Sequence, residues 1–151
     1  MSSTVTKSIL VKGNPQDVYA VWSDFETFPN FMENIKSITK KHGDTSHWVM
    51  HGPAGTTWDW EAKTTRQEPG KRIAWRSTDE GRMQTSGQVT FSEQGEGFTE
   101  VTVTLHYEPP AGWAGATAVK LFADPEGTLE KDLRNFKQYF EVQQKQVRNP
   151  V

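Results

Sequence analysis

Near the C-terminus apolar residues recur at helical spacing. Leu129, Leu133, Phe136, Phe140 and Val147 are separated by four, three, four and seven positions, which sets them in one stripe along a helix. Polar side chains fill the gaps, among them Glu130, Lys131, Arg134, Asn135, Lys137, Gln138, Glu141, Gln144 and Lys145. Asp124 supplies an N-cap, and Pro125 suits the first helical position, where its missing N–H costs nothing. Glu130–Arg134 and Glu141–Lys145 are i,i+4 pairs in the favourable order. A helix over residues 124–147 would be roughly 34 Å long. One apolar face of that length needs a partner surface to match.

The rest of the chain predicts that surface. Residues 4–12 are rich in β-branched side chains and read as a strand, broken at Gly13-Asn14-Pro15. Asn14 caps and Pro15 starts a short helix whose inner face is Val18, Val21 and Trp22. Phe25, Phe28, Phe31 and Met32 mark a second short helix or helical turn. Strands follow over 35–41, 46–51, 56–67, 72–78, 83–93 and 100–107, separated by Gly- and Pro-bearing turns. The alternation is clear in two of them. Trp58, Trp60, Ala62 and Thr64 face one way, against Asp59, Glu61, Lys63 and Thr65. Val101, Val103, Leu105 and Tyr107 oppose Thr102, Thr104 and His106. Pro109-Pro110-Ala111-Gly112 ends the last strand, and residues 113–122 read as a short helix or a lid. Successive hairpins imply an antiparallel meander, so the expected class is α+β: a curved sheet gripping one long helix.

A length of 151 residues predicts one domain over 1–151. A net charge of −2 with no long run of one sign asks for neither nucleic acid nor an anionic membrane surface. There is no cysteine, which excludes disulfides and thiolate catalysis. The N-terminus lacks the apolar core of a signal peptide. The longest weakly polar run, 111–119, falls far short of the roughly 20 residues of a spanning helix. The expectation is a soluble, cytoplasmic protein with no membrane span. Six Trp and eight Phe stand against three Tyr; such rings either fill a core or line a cavity.

Candidate chemistry is sparse. His47 and His51 share a strand face, but four residues of strand hold them about 13 Å apart, too far for one metal ion. No HExxH-type spacing exists, so no metal site is expected, and no cofactor is implied. Asp59 and Glu61 lie on the face opposite the tryptophans. Asp24 and Glu33 flank the short helices, within reach of a cavity mouth. Tyr107, Thr64, Thr85 and Ser77 are the inward polar candidates. No nucleophile–base–orienter trio and no Gly-x-Ser-x-Gly can be assembled.

Four segments carry a family resemblance. They are Val18-Tyr19-Ala20-Val21-Trp22-Ser23-Asp24-Phe25 with Phe28-Pro29-Asn30-Phe31-Met32; Ser46-His47-Trp48-Val49; Trp60-Glu61-Ala62 with Ile73-Ala74-Trp75-Arg76-Ser77; and Tyr107-Glu108-Pro109-Pro110 with Asp132-Leu133-Arg134-Asn135-Phe136-Lys137. With the order β-α-α-β6-α, the chain resembles the helix-grip fold of the START-like (SRPBCC) superfamily. Within it, the chain looks like the polyketide cyclase/dehydrase branch, near the coenzyme Q-binding proteins. The resemblance implies a cavity between sheet and long helix that takes a small hydrophobic ligand. By strand parity and position, Phe28, Phe31, Trp58, Trp60, Trp75, Val103, Tyr107, Trp113 and Phe122 are the expected ligand-binding residues. Three functions stay open. The first is a binding protein for a polyketide, quinone or lipid, working as a monomer or homodimer. The second is a cyclase, aromatase or dehydratase that positions a reactive chain, with Tyr107 as its candidate proton-transfer group. The third is a structural module whose cavity has collapsed below the roughly 300 Å³ a ligand needs.

Overall fold

A computed structural model describes residues 3–78, 83–108 and 124–148. Strand β1 (Ser3–Lys12) leads into helix α1 (Pro15–Trp22) and a 3₁₀ turn (Phe25–Asn30). Six strands follow: β2 (Ile35–Lys40), β3 (Thr45–His51), β4 (Thr57–Glu68), β5 (Arg72–Ser77), β6 (Gln84–Glu93) and β7 (Phe98–Glu108). Helix α2 (Pro125–Arg148) comes last. The strands form one antiparallel sheet in the order β1-β7-β6-β5-β4-β3-β2. Each neighbour after β2 is a hairpin partner. Only β1 joins out of sequence, pairing with β7 from Ser3↔Tyr107 to Lys12↔Phe98 without a slip.

Local chemistry sets the helices. The Asn14 side chain accepts from the Asp17 N–H at 2.9 Å and opens α1. Asp124 accepts from the Gly127 N–H at 3.0 Å and opens α2. The alternation of β4 breaks at Thr65, where the pairing with β5 skips from Thr64↔Trp75 to Arg66↔Ala74. This bulge turns Arg66 outward, where an unbroken period of two would have sent it inward.

Helix α2 lies along β1, and its ion pairs follow from that contact. The sequence suggests Glu130–Arg134 and Glu141–Lys145. Instead, Glu130 pairs with Lys7 of β1 at 3.0 Å, and Glu141 pairs with Lys137 at 2.8 Å while accepting the Lys12 N–H at 3.0 Å. Lys137 also donates to the Leu10 carbonyl at 3.0 Å. The free edge of β1 therefore finds its backbone partners on the helix, as an unpaired strand edge requires.

Beneath α2 the core has two unlike ends. At one end Trp22, Phe28, Phe31, Phe136 and Phe140 are buried and pack ring on ring, with centroids 4.8 Å apart for Trp22–Phe136 and 5.3 Å for Trp22–Phe28. At the other end the helix presents Asp132 and Thr128, both buried, towards the sheet.

Candidate functional site

A sheet wall of three tryptophans defines that second end. Trp48 stacks on Trp60 at 6.0 Å and on Trp75 at 5.6 Å, with near-parallel rings. Register explains the stack: Trp48 and Trp60 are direct cross-strand partners, so their side chains leave the same face of the sheet. Trp75 needs the space above Gly87, its partner on β6; a Cβ there would run into the indole ring.

The wall borders a narrow cavity of about 20 Å³, enclosed between sheet, α2 and the turn before β2. Its apolar lining is Met32, Ile35, Trp48, Trp60, Trp75 and Leu105. Its polar lining among the described residues is Asn34, Thr85, Tyr107 and Asp132, with no Lys or Arg. Three polar atoms of this lining are buried without a hydrogen-bond partner: Trp60 Nε1, Asn34 Nδ2 and Asp132 Oδ1. The neighbouring Trp48 differs, because its indole N–H is satisfied by Ser46 Oγ at 2.8 Å. A buried polar group left unpaired costs about 1–3 kcal/mol, so three around one space set this end apart from ordinary core.

Asp132 is the centre of the electrostatics. It is 6 % exposed. Burial pushes its carboxyl up to about 7; the charge of Glu33 adds to the rise, while the Glu33 N–H and Lys131 pull the other way. Lys131 is itself engaged by Glu33 at 2.9 Å. The hydroxyl of Tyr107 is desolvated although the residue is only partly buried. That burial raises its pKa, and the nearby charge of Asp132 raises it further. At neutral pH the pair therefore offers a phenol that stays protonated beside a carboxyl poised to gain or lose a proton.

Of the residues expected to bind ligand, Trp60, Trp75 and Tyr107 line this cavity. Phe31 lies in the aromatic core around Phe136, Phe28 joins that core to the wall by packing edge-on against Trp48 and Trp75, and Val103 is buried in the sheet core. Trp58 is half-buried, opposite Met50 near the start of β4, away from the cavity lining. Trp113 and Phe122, and the short helix or lid read over 113–122, lie outside the described residues. Asp132, Asn34 and Trp48 are lining residues that the strand and helix patterns did not single out. Asp132 left a signal, since it stands three residues after Leu129 and four before Phe136, inside the apolar stripe. Asn34, in the turn before β2, left none. His47 is occupied on the outer face of the sheet, with Glu61 at 2.6 Å and Asp59 at 3.3 Å. Among the described residues no group of three His, Cys, Asp or Glu side chains is placed to hold a metal ion, and no helix is long and apolar enough to cross a membrane.

This architecture has relatives. A structure from Deinococcus radiodurans superposes with a TM-score of 0.77 at 34 % identity, over 93 % of this chain and 98 % of that one. An uncharacterized 17.2 kDa protein of Streptomyces lincolnensis is 29 % identical over 143 residues, 92 % of this chain and 90 % of the relative. The Zhui aromatase/cyclase of Streptomyces sp. R1128 shares the fold with a TM-score of 0.69 at 17 % identity, over 93 % of this chain and 94 % of that one. The family model for polyketide cyclase/dehydrase and lipid transport proteins matches residues 2–141. With its curled seven-strand sheet gripping a C-terminal helix, the chain belongs to the polyketide cyclase/dehydrase and lipid transport family.

Proposed function

We propose that this protein binds an apolar, aromatic small molecule, of the polyketide, quinone or lipid kind, between its sheet and α2. The observation that carries this reading is the coincidence of a three-tryptophan wall with three unpartnered polar atoms on one cavity. Rings supply contact area, and a few convergent polar groups supply orientation, the usual composition of a small-molecule site. At about 20 Å³ the cavity as it stands is far below the roughly 300 Å³ a ligand needs and has room for one water-sized group. A larger ligand must therefore displace side chains on entry. Met32 is the lining residue best suited to yield, being unbranched with three rotatable bonds. We take the protein to act in the cytoplasm, as a monomer or homodimer.

One observation favours a second reading, catalysis. A carboxyl held near 7 suits general acid/base work at neutral pH, and Asp132 meets that condition better than Tyr107, whose raised pKa leaves it a hydrogen-bond donor. In this reading Asp132 moves the proton while the tryptophan wall holds a reactive ketone chain in a productive fold, the chemistry of a cyclase or dehydratase.

Native mass spectrometry of freshly purified protein, with organic extraction, tests binding. The expected result is a reproducible added mass that leaves on denaturation, or a saturable change in Trp fluorescence on titration with aromatic ketones and quinones. A bare protein whose fluorescence ignores every such compound contradicts the proposal and favours a collapsed cavity.

A further inference from the structure

We propose that Trp60 and Asn34 together form an anchor for a ketone or quinone oxygen, so that the site selects apolar ligands carrying a carbonyl. The inference rests on the ligand-binding reading above and specifies what that ligand presents.

Among the described residues, five buried side-chain polar atoms lack a partner, and three of them belong to residues that line this one cavity. Two of the three are N–H donors, Trp60 Nε1 and Asn34 Nδ2. Indole has no acceptor to offer, so an oxygen of the ligand is the group that satisfies it. A carbonyl oxygen carries two lone pairs and takes both donors at once. The free room, about 20 Å³, matches a single oxygen-sized group, and the indole rings of Trp48 and Trp75 border the same space. Charge decides the class. Among the described residues no Lys or Arg lines the cavity, and Asp132 shares it, so a carboxylate or phosphate would be desolvated and repelled there. A neutral carbonyl meets neither penalty. A hydroxyl placed beside that carbonyl would find Asp132 Oδ1, the third unpartnered atom.

The test compares 1-tetralone with tetralin, which lacks only the carbonyl, against the full chain by NMR titration. Wild type should bind the ketone about tenfold more tightly, the preference expected when buried donors gain a partner. The Trp60 indole N–H resonance should move downfield with the ketone and stay put with tetralin. Trp60→Phe keeps a ring and removes the donor; its preference should fall to about twofold. Asn34→Ala should lower the preference as well, and serves alone if Trp60→Phe does not fold. Equal binding of both compounds by wild type, or an unchanged preference in the variants, overturns the anchor while leaving the cavity a binding site. No binding of either compound overturns the ligand reading, and the anchor with it.

Discussion

The two ends of the sheet–helix interface use the same helix for opposite purposes. At one end Phe136 and Phe140 of α2 meet Trp22, Phe28 and Phe31 in a packed cluster of rings. At the other end, four residues earlier on that helix, Asp132 meets Trp60, Asn34 and Tyr107 across a small space. Even the orphaned donors differ. Trp22 Nε1 is unpartnered inside close-packed rings, whereas Trp60, whose Nε1 is also unpartnered, lines the cavity. Packing density thus separates a region that holds the fold from one that carries a stability cost. A carboxyl buried against its ordinary preference marks where function competes with stability.

That contrast breaks most visibly at Phe136. Phe136→Ala should cost about 3–5 kcal/mol, because the ring is fully buried and its rigid neighbours cannot close the gap. Urea denaturation measures the loss, and ligand affinity of the folded fraction should change little.

At the polar end the sign reverses. The folded pKa of Asp132 is about 7 against an ordinary 3.8, so the folded state binds the proton more tightly than the unfolded chain does. Its contribution to stability is intact below about pH 4 and is lost as the pH rises to about 7. At about 1.4 kcal/mol per pH unit, the loss is on the order of 4 kcal/mol. Asp132→Asn removes the titration and keeps the shape. The variant should gain stability of that order over wild type at pH 8 and match it near pH 4, as pH-dependent thermal unfolding would reveal.

A smaller effect concerns the tryptophan wall of the polar end. Gly87→Ala forces the Trp75 ring from its bed and should cost about 1–3 kcal/mol, with a change in near-UV circular dichroism from the displaced indole. The smallest effect belongs to the rim. Glu130→Gln breaks the solvent-exposed pair with Lys7 and should lower the melting temperature only slightly, with less effect still in high salt.

The fold was legible because its periods are strong. Alternation along β4 and β7 and the stripe of α2 suffice to place the sheet against the helix. The bulge at Thr65 was not legible, since nothing in Thr64-Thr65-Arg66 distinguishes an extra residue from a regular one. The candidate site was half legible. Trp60 and Trp75 follow from strand parity, yet parity puts Trp58 on the same face and does not tell which rings reach the cavity. Asp132 stands in the stripe, but its burial depends on the turn at Glu33 folding over it, a contact between residues 99 positions apart. Asn34 and the size of the cavity depend on side-chain packing, which no period encodes.

The central claim is that the Asp132 end of the interface is kept for a ligand rather than for stability. A ¹³C NMR titration of the Asp132 carboxyl, with and without 1-tetralone, tests it most directly. The account predicts a midpoint near 7 in the free protein, as burial dictates, and a shift of about half a unit or more when the probe binds. A carboxyl that titrates at its ordinary value of 3.8 and ignores the probe would contradict it.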